Sequence, residues 1–227
     1  MANENEKEAA ARASLDFVQD GQIVGLGTGS TAAFVVRMLA ERVCGGLKVR
    51  CIPTSVQTRD LAASLGISLT TLDEFQQIDV TIDGADEVDP HLNLIKGGGG
   101  ALLREKIVAS ASRQVVIIAD SSKRVPVLGK FPLPVEVIPF ARALVSRKIA
   151  ALGATVKVRQ LADGKVFITD EGHQILDCSF GQIPDPPSLA RKLSDMPGIV
   201  EHGLFIGLAS VGLIAKGGDV LEYRRPD

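Results

Sequence analysis

Apolar positions along the first part of the chain follow two rhythms. Ala10, Ala13, Leu15, Phe17 and Val18 recur at roughly helical spacing and predict a helix over 4–19, closed by Asp20-Gly21. A short apolar run at 22–26 predicts a strand, GTGST a turn, and 32–43 a second helix. The alternation continues with strands at 47–52, 68–72 and 78–82 and helices at 55–65 and 101–112. The run QVVIIA at 114–119 has the unbroken apolar character of a strand covered on both faces. Such alternation implies a parallel sheet wrapped by helices through right-handed crossovers, with ligands at the carboxyl ends of the strands.

From Phe131 the pattern changes. FPLPVEVIPF sets a strand between prolines, 141–152 is helical, and 154–160 with 165–169 reads as a hairpin turned at ADG. A strand at 173–178, a helix at 187–194 and a strand at 199–204 complete a βαββα(β) order, which predicts a ferredoxin-like insert. LASVGLIA, a GGD turn and 220–223 then return to the first sheet. The expected class is α/β: a Rossmann-like parallel-sheet domain at 1–130 plus 205–227, with an inserted smaller α+β (ferredoxin-like) domain at 131–204.

Composition narrows the function. Apolar residues at 45% and charged residues at 23% describe an ordinary globular chain, and a net charge of −2 supplies no basic face for nucleic acid. An anionic ligand must therefore be held by a few local groups. Cys44, Cys51 and Cys178 form no C-x-x-C pair, which fits a reducing compartment, and His91, His173 and His202 are too scattered to predict a metal site. The amino-terminal segment lacks the apolar core of a signal peptide, and no apolar run reaches the roughly 18 residues of a membrane span. A cytoplasmic protein with no membrane or nucleic-acid partner is expected.

Three glycine- or acid-rich stretches fall on the predicted ligand edge. GLGTGST at 25–31 joins a strand to a helix, whose first N–H groups and partial positive charge favour phosphate. It lacks the Lys of a P-loop, and Ser30 stands where a dinucleotide fingerprint needs its third glycine. A plain strand-to-helix turn with Ser30 or Thr31 as N-cap is the alternative use. DGADEVD at 83–89 puts Asp83 and Asp86 at the next strand end; a surface turn is its plain reading, and its spacing does not fit a calcium loop. KGGGG at 96–100 precedes a helix carrying Glu105, so one edge can receive a cation, carboxylates and bare backbone. That combination suits proton transfer beside a carbonyl, because a glutamate of ordinary acidity is ionised at neutral pH and the cation and backbone donors hold the enediolate. Glu105 as a solvated helix residue paired with a neighbouring base is the alternative. DSSK at 120–123 brings Lys123 to the end of QVVIIA, within reach of a substrate phosphate by the same edge rule.

Taken in order, GLGTGST, DGADEVDPHLNLIKGGGGALLREKI, DSSK and GKFPLPVEVIPFA resemble the type A family of ribose-5-phosphate isomerases over nearly the whole chain. The resemblance implies interconversion of D-ribose 5-phosphate and D-ribulose 5-phosphate through a cis-enediol, in the non-oxidative pentose phosphate pathway, with no cofactor and no metal. It implies Glu105 as the proton acceptor, Asp83 and Asp86 as binders of sugar hydroxyls that assist ring opening, and Lys96 as the partner of the developing oxyanion. Gly84, Ala85, Gly97, Gly98 and Gly99 would line the sugar. Thr28, Gly29, Ser30, Thr31 and Lys123 would complete the substrate pocket and hold the phosphate, with Lys7 as a weaker phosphate candidate. A homodimer or homotetramer is implied, although the tail GLASVGLIAKGGDVLEYRRPD departs from the family's pattern outside the site. A non-catalytic sugar-phosphate sensor, or an acyl-transfer enzyme using a Glu nucleophile, is the competing reading.

Overall fold

The computed structural model describes residues 2–225. Contacts divide the chain into two units: one takes residues up to Ala85, Arg104–Arg124 and the stretch from Gly207 on, and the other takes Asp86–Leu103 and Val125–Ile206. In chain order the elements are α1 (Ala2–Ser14), β1 (Ile23–Leu26), α2 (Ser30–Cys44), β2 (Arg50–Pro53), α3 (Val56–Ser64), β3 (Ile78–Gly84), β4 (Glu87–Val88), β5 (Leu94–Ile95), α4 (Leu102–Ser110) and β6 (Ser112–Asp120). They continue with β7 (Leu133–Val137), α5 (Arg142–Ala151), β8 (Thr155–Val158), β9 (Gln174–Ser179), α6 (Pro186–Ser194), β10 (Ile199–His202), β11 (Leu204–Phe205), β12 (Val211–Lys216) and β13 (Asp219–Arg224).

The first unit is a six-stranded sheet in the order β13-β12-β6-β3-β1-β2. Every pair is parallel except β12 with β13. Val115 to Ala119 of β6 are all buried, as expected of a strand covered on both faces. Val24, Leu26, Val80, Ile82, Val116 and Ile118 join Leu39 of α2 and Ala10 and Ala11 of α1 in the main core. Burying each large side chain contributes about 1.5–3 kcal/mol, which fixes the strand ends that carry the motifs. Cys51 of this unit and Cys178 of the other are fully buried, and burial pushes both thiols up to about 12, so they act as core packing. The stretch 68–72 makes only a single bridge, Cys51 with Leu69, in place of the expected strand. Two backbone bonds hold it there, Cys51 N to Ser68 O and Thr70 N to Cys51 O, before Thr70 turns its hydroxyl to Glu74.

The second unit holds a four-stranded antiparallel sheet in the order β10-β7-β9-β8. With α5 and α6 this is the βαββαβ ferredoxin-like arrangement. Val135, Val137, Leu176 and Cys178 pack with Val145 and Ile149 of α5 and Leu193 of α6. The expected hairpin is shortened: β8 pairs with β9, and beyond β8 the chain turns back on itself through the Gln160–Val166 bridge and the bonds Leu161 N to Lys165 O at 2.8 Å and Phe167 N to Arg159 O at 3.0 Å, before the Ile168–Gln174 bridge. β9 has fully buried Ile175, Leu176 and Cys178 to offer, whereas Ile168 is half exposed. The predicted strand at 199–204 breaks at Gly203, whose N–H bonds to Pro134 O, and β11 pairs instead with β5 in a small sheet of order β11-β5-β4. These pairings place 86–103 with the second unit, whereas the change of pattern at Phe131 had assigned it to the first. Glu87 adds to the tie, accepting from Gly129 N at 2.7 Å and Phe131 N at 2.6 Å.

Glu136 is a buried carboxylate within this unit. Its Oε1 accepts from the Thr169 hydroxyl at 2.8 Å and lies 3.0 Å from His173 Nδ1. Burial pushes its carboxyl up, against the opposing pull of those two hydrogen bonds. A folded state that holds this proton more tightly than the unfolded chain loses stability as pH rises, from about pH 4.5 up to the raised value, and does not regain it above. Glu136→Gln is expected to remove this loss. Its Tm should fall less than that of wild type between about pH 5 and about pH 8, by on the order of a few °C, as read by thermal melts at both values. An identical pH slope in the two proteins would assign the titration elsewhere.

Candidate active site

In the first unit the loops after β1, β3 and β6 emerge at the carboxyl edge of neighbouring parallel strands. Gly27 N bonds to Ile82 O at 2.9 Å, so β1 and β3 stay joined to their ends. A Cβ at Gly27 would strike the Asp83 carboxylate and lie 2.6 Å from Asp83 Cα; only glycine fits between the two motifs. Gly29 caps α2 with φ +107°, a conformation that side chains rarely adopt. Ser30 and Thr31 are therefore the first two helical residues, not the cap, and no side chain caps this helix. Its first N–H groups lie at a glycine-lined edge suited to an anion. Lys7 Nζ of α1 reaches Ser30 Oγ at 3.0 Å.

Thr28 is held by a cluster of hydroxyls. Its Oγ1 lies 2.7 Å from Thr54 Oγ1 and donates to Ser55 Oγ at 2.8 Å, while Thr58 Oγ1 bonds to Gly27 O at 3.0 Å. Ser55 itself caps α3 through Thr58 N. Asp83 is 2% exposed, and its Oδ1 accepts from Gly84 N at 2.7 Å and Thr28 N at 3.2 Å. That oxygen is fixed by two backbone donors. Glu105 sits in the first turns of α4 and is only 5% exposed, so it is not the solvated helix residue that its sequence setting also allowed. A charged side chain this buried is a candidate for chemistry.

Lys123 ends a short 3-10 helix, Ser121–Lys123, capped by Asp120 through Ser122 N at 3.0 Å. The same loop is tied down by buried Glu6. That carboxylate accepts from Gly217 N at 2.9 Å, Ser121 N at 3.0 Å and Ser121 Oγ at 2.9 Å, and these bonds hold its carboxyl below the ordinary range. Thus Glu6 and Lys7, neighbours on α1, reach the Lys123 loop and Ser30 respectively.

The second unit carries Asp86, Lys96 and the glycines. Asp86 N bonds to Ile95 O at 2.9 Å, and its Oδ2 accepts from Gly98 N at 2.7 Å. Lys96 is 3% exposed; its N–H bonds to Gly203 O at 2.9 Å and its ammonium lies 5.5 Å from the centre of the Phe205 ring, within cation–π range. Gly97 has φ +102°, and a Cβ there would lie 2.9 Å from Leu102 Cβ. A Cβ on Gly98 would push against the Asp86 carboxylate, while Gly99 is exposed. Glycine is therefore required at 97 by its φ and by Leu102, at 98 by the Asp86 carboxylate, and at 100 by a φ of +84° and the Phe167 ring, which a Cβ would strike. Glu87 and Asp89 of the same acidic stretch have structural tasks: Asp89 accepts from His91 N and Asn93 N at 2.8 Å each.

Several contributors escaped the sequence. Thr54, Ser55 and Thr58 carry only the weak signal of a hydroxyl-rich helix start, Glu6 carries none, and Arg159 lies in a stretch read as half of a hairpin. Arg159 is considered further below.

Comparison with known proteins gives consistent findings. Residues 50–218 match the family model of ribose 5-phosphate isomerase A (phosphoriboisomerase A). The ribose-5-phosphate isomerase A of Bradyrhizobium diazoefficiens is 56% identical over 97% of this chain and 96% of its own length, and that of Agrobacterium fabrum 56% over 92% and 93%. Among solved structures, ribose 5-phosphate isomerase A of Methanocaldococcus jannaschii has a TM-score of 0.93 at 40% identity, covering 97% of this chain and 99% of that one. A D-ribose-5-phosphate isomerase in complex with phospho-erythronic acid reaches a TM-score of 0.96 at 37% identity, covering 99% and 100%.

Proposed function

The chain belongs to the ribose 5-phosphate isomerase A family, and from that membership we propose that it interconverts D-ribose 5-phosphate and D-ribulose 5-phosphate through a cis-enediol. In the aldose-to-ketose direction the Glu105 carboxylate takes the C2 proton, the aldehyde oxygen becomes an enediolate oxygen and takes the proton of the C2 hydroxyl, and the proton held by Glu105 returns to C1 as the C2 carbonyl forms. No electron pair leaves the substrate. Lys96 neutralises the oxyanion, and Asp83 and Asp86, each steadied by backbone N–H groups, hold hydroxyls and assist ring opening. Thr28, Gly29, Ser30 and Thr31 take the phosphate at the α2 amino end, with Lys123 and Lys7 supplying positive charge.

The observation that carries this reading is the burial of Glu105 in a chain of this family. The ligand of the solved relative also supports it, because phospho-erythronic acid carries a planar carboxylate, a shape like that of an enediolate, on a phosphorylated sugar chain. On this reading the enzyme works in the cytoplasm, in the non-oxidative pentose phosphate pathway, as a homodimer or homotetramer.

Purified protein in EDTA is expected to convert ribose 5-phosphate to ribulose 5-phosphate at the rate seen without chelator, followed by ketose formation. A protein that binds the sugar phosphate without turning it over would replace the isomerase with a sensor. Activity abolished by EDTA and restored by a divalent ion would replace the metal-free mechanism.

A further inference from the structure

Arg159 follows β8 and has an exposure of 14% at its side chain. Its guanidinium forks onto the Asp177 carboxylate of β9, Nε to Oδ2 at 3.1 Å and a terminal nitrogen to Oδ1. The remaining nitrogen donates to two backbone carbonyls of the glycine run, Gly97 O at 2.8 Å and Gly98 O at 3.1 Å. Its own backbone is held on both sides, Arg159 N to Ile175 O at 2.9 Å and Phe167 N to Arg159 O at 3.0 Å. The cation is thus anchored before it touches the glycines.

The Gly97 carbonyl and the Gly98 N–H belong to one peptide unit. Every described peptide bond is trans, so the two groups point in opposite directions. One side of this unit meets Arg159; the other donates to Asp86 Oδ2 at 2.7 Å. In the same way, the Gly98 carbonyl faces Arg159 and sends the Gly99 N–H to the opposite side. A charged donor on a carbonyl strengthens the N–H of the same unit. The glycine run has no side chains of its own with which to hold this orientation.

We infer that Arg159 is a positioning residue for the isomerisation: it turns the Gly97 and Gly98 carbonyls toward itself, so that the Gly98 N–H fixes Asp86 and the Gly99 N–H is preset to meet an oxygen of the sugar phosphate. This rests on the isomerase reading. Asp177 acts through Arg159 by fixing the direction of its fork. Lys in its place would keep the charge and lose the simultaneous hold on carboxylate and carbonyls.

The test combines kinetics with amide exchange on the full chain. Arg159→Ala is expected to stay folded, to lose about 10–100-fold in kcat/KM for ribose 5-phosphate, and to recover part of it with added methylguanidinium but not with sodium at equal ionic strength. The Gly98 amide, followed by NMR, should exchange at least about tenfold faster in the variant than in wild type, as expected on loss of a hydrogen-bonded hold. Arg159→Lys, the milder change, should fall between the two in both readouts. Kinetics and Gly98 exchange that match wild type in either variant would overturn the proposal, as would a kinetic loss that methylguanidinium leaves untouched. An inactive wild type would sink the isomerase reading by itself, and the Gly98 exchange rates would still judge the hold exerted by Arg159.

Discussion

Glu105→Gln is expected to lower kcat for ribose 5-phosphate by about 10²–10⁴-fold, the range that a positioned general base supplies. The substitution keeps the volume and a hydrogen-bonding oxygen of a side chain that is only 5% exposed, and it removes the basic electron pair to which the proposed mechanism assigns the C2 proton. In the proposed mechanism Glu105 acts on a proton that moves only in the transition state, so kcat and kcat/KM should drop together while KM stays close to that of wild type. In deuterated water the wild type should wash label into recovered substrate, and the variant should lose this exchange in step with turnover. A variant within a factor of about ten of wild type would lie below the base's expected share and would move the role to another buried carboxylate, with Asp83 the first to test.

Gly27→Ala should damage both stability and activity, although residue 27 contributes no functional group. The added methyl would meet the Asp83 carboxylate and sit 2.6 Å from Asp83 Cα, so the backbone itself must move. Forcing a methyl into a packed site costs about 1–3 kcal/mol, and each kcal/mol lowers Tm by about 2–4 °C in a chain of this size. The strain falls on the Gly27 N to Ile82 O bond and on the Thr28 N–H that steadies Asp83 Oδ1. Activity should therefore drop by more than the folded fraction explains. Calorimetry and kinetics on one preparation would separate the two effects. A variant with unchanged Tm and kcat/KM would mean that the two strand ends can part freely, contrary to the packing described.

Much of this was legible in the chain because the relevant signals are local. QVVIIA is a buried strand on its own composition, the loops bearing Thr28 and Lys123 follow directly from strand ends, and Asp83 lies in the last residues of β3. The contributions that escaped depend on partners far apart in sequence. Arg159 finds Gly97 and Gly98 across more than sixty residues, and Glu6 finds Ser121 and Gly217 across more than a hundred. No periodicity encodes such a pairing. The shortened hairpin at 165–169 has a related cause: the turn at ADG is present, as Gly164 N to Leu161 O shows, and 159–161 pairs back with 165–167, but a turn does not set how far that pairing runs before another strand takes over. Apolar β9 won that contest. Likewise Glu87 looked like one more acid in a surface turn until its two backbone donors, Gly129 and Phe131, drew the 86–103 segment to the second unit.

The position of β12 matters for how the molecule is made. β6 leaves a growing chain well ahead of residues 211–216, its parallel neighbours on the finished sheet's other side. During that interval the ferredoxin-like unit can collapse on its own core, while β6 presents an unpaired apolar edge, open to strand addition from another nascent chain. Only when β12 has docked and β13 has folded back along it is that edge covered. A stretch that carries no catalytic motif thus acts as the sheet's guard against misassembly, and slow synthesis between 125 and 206 would prolong the vulnerable period.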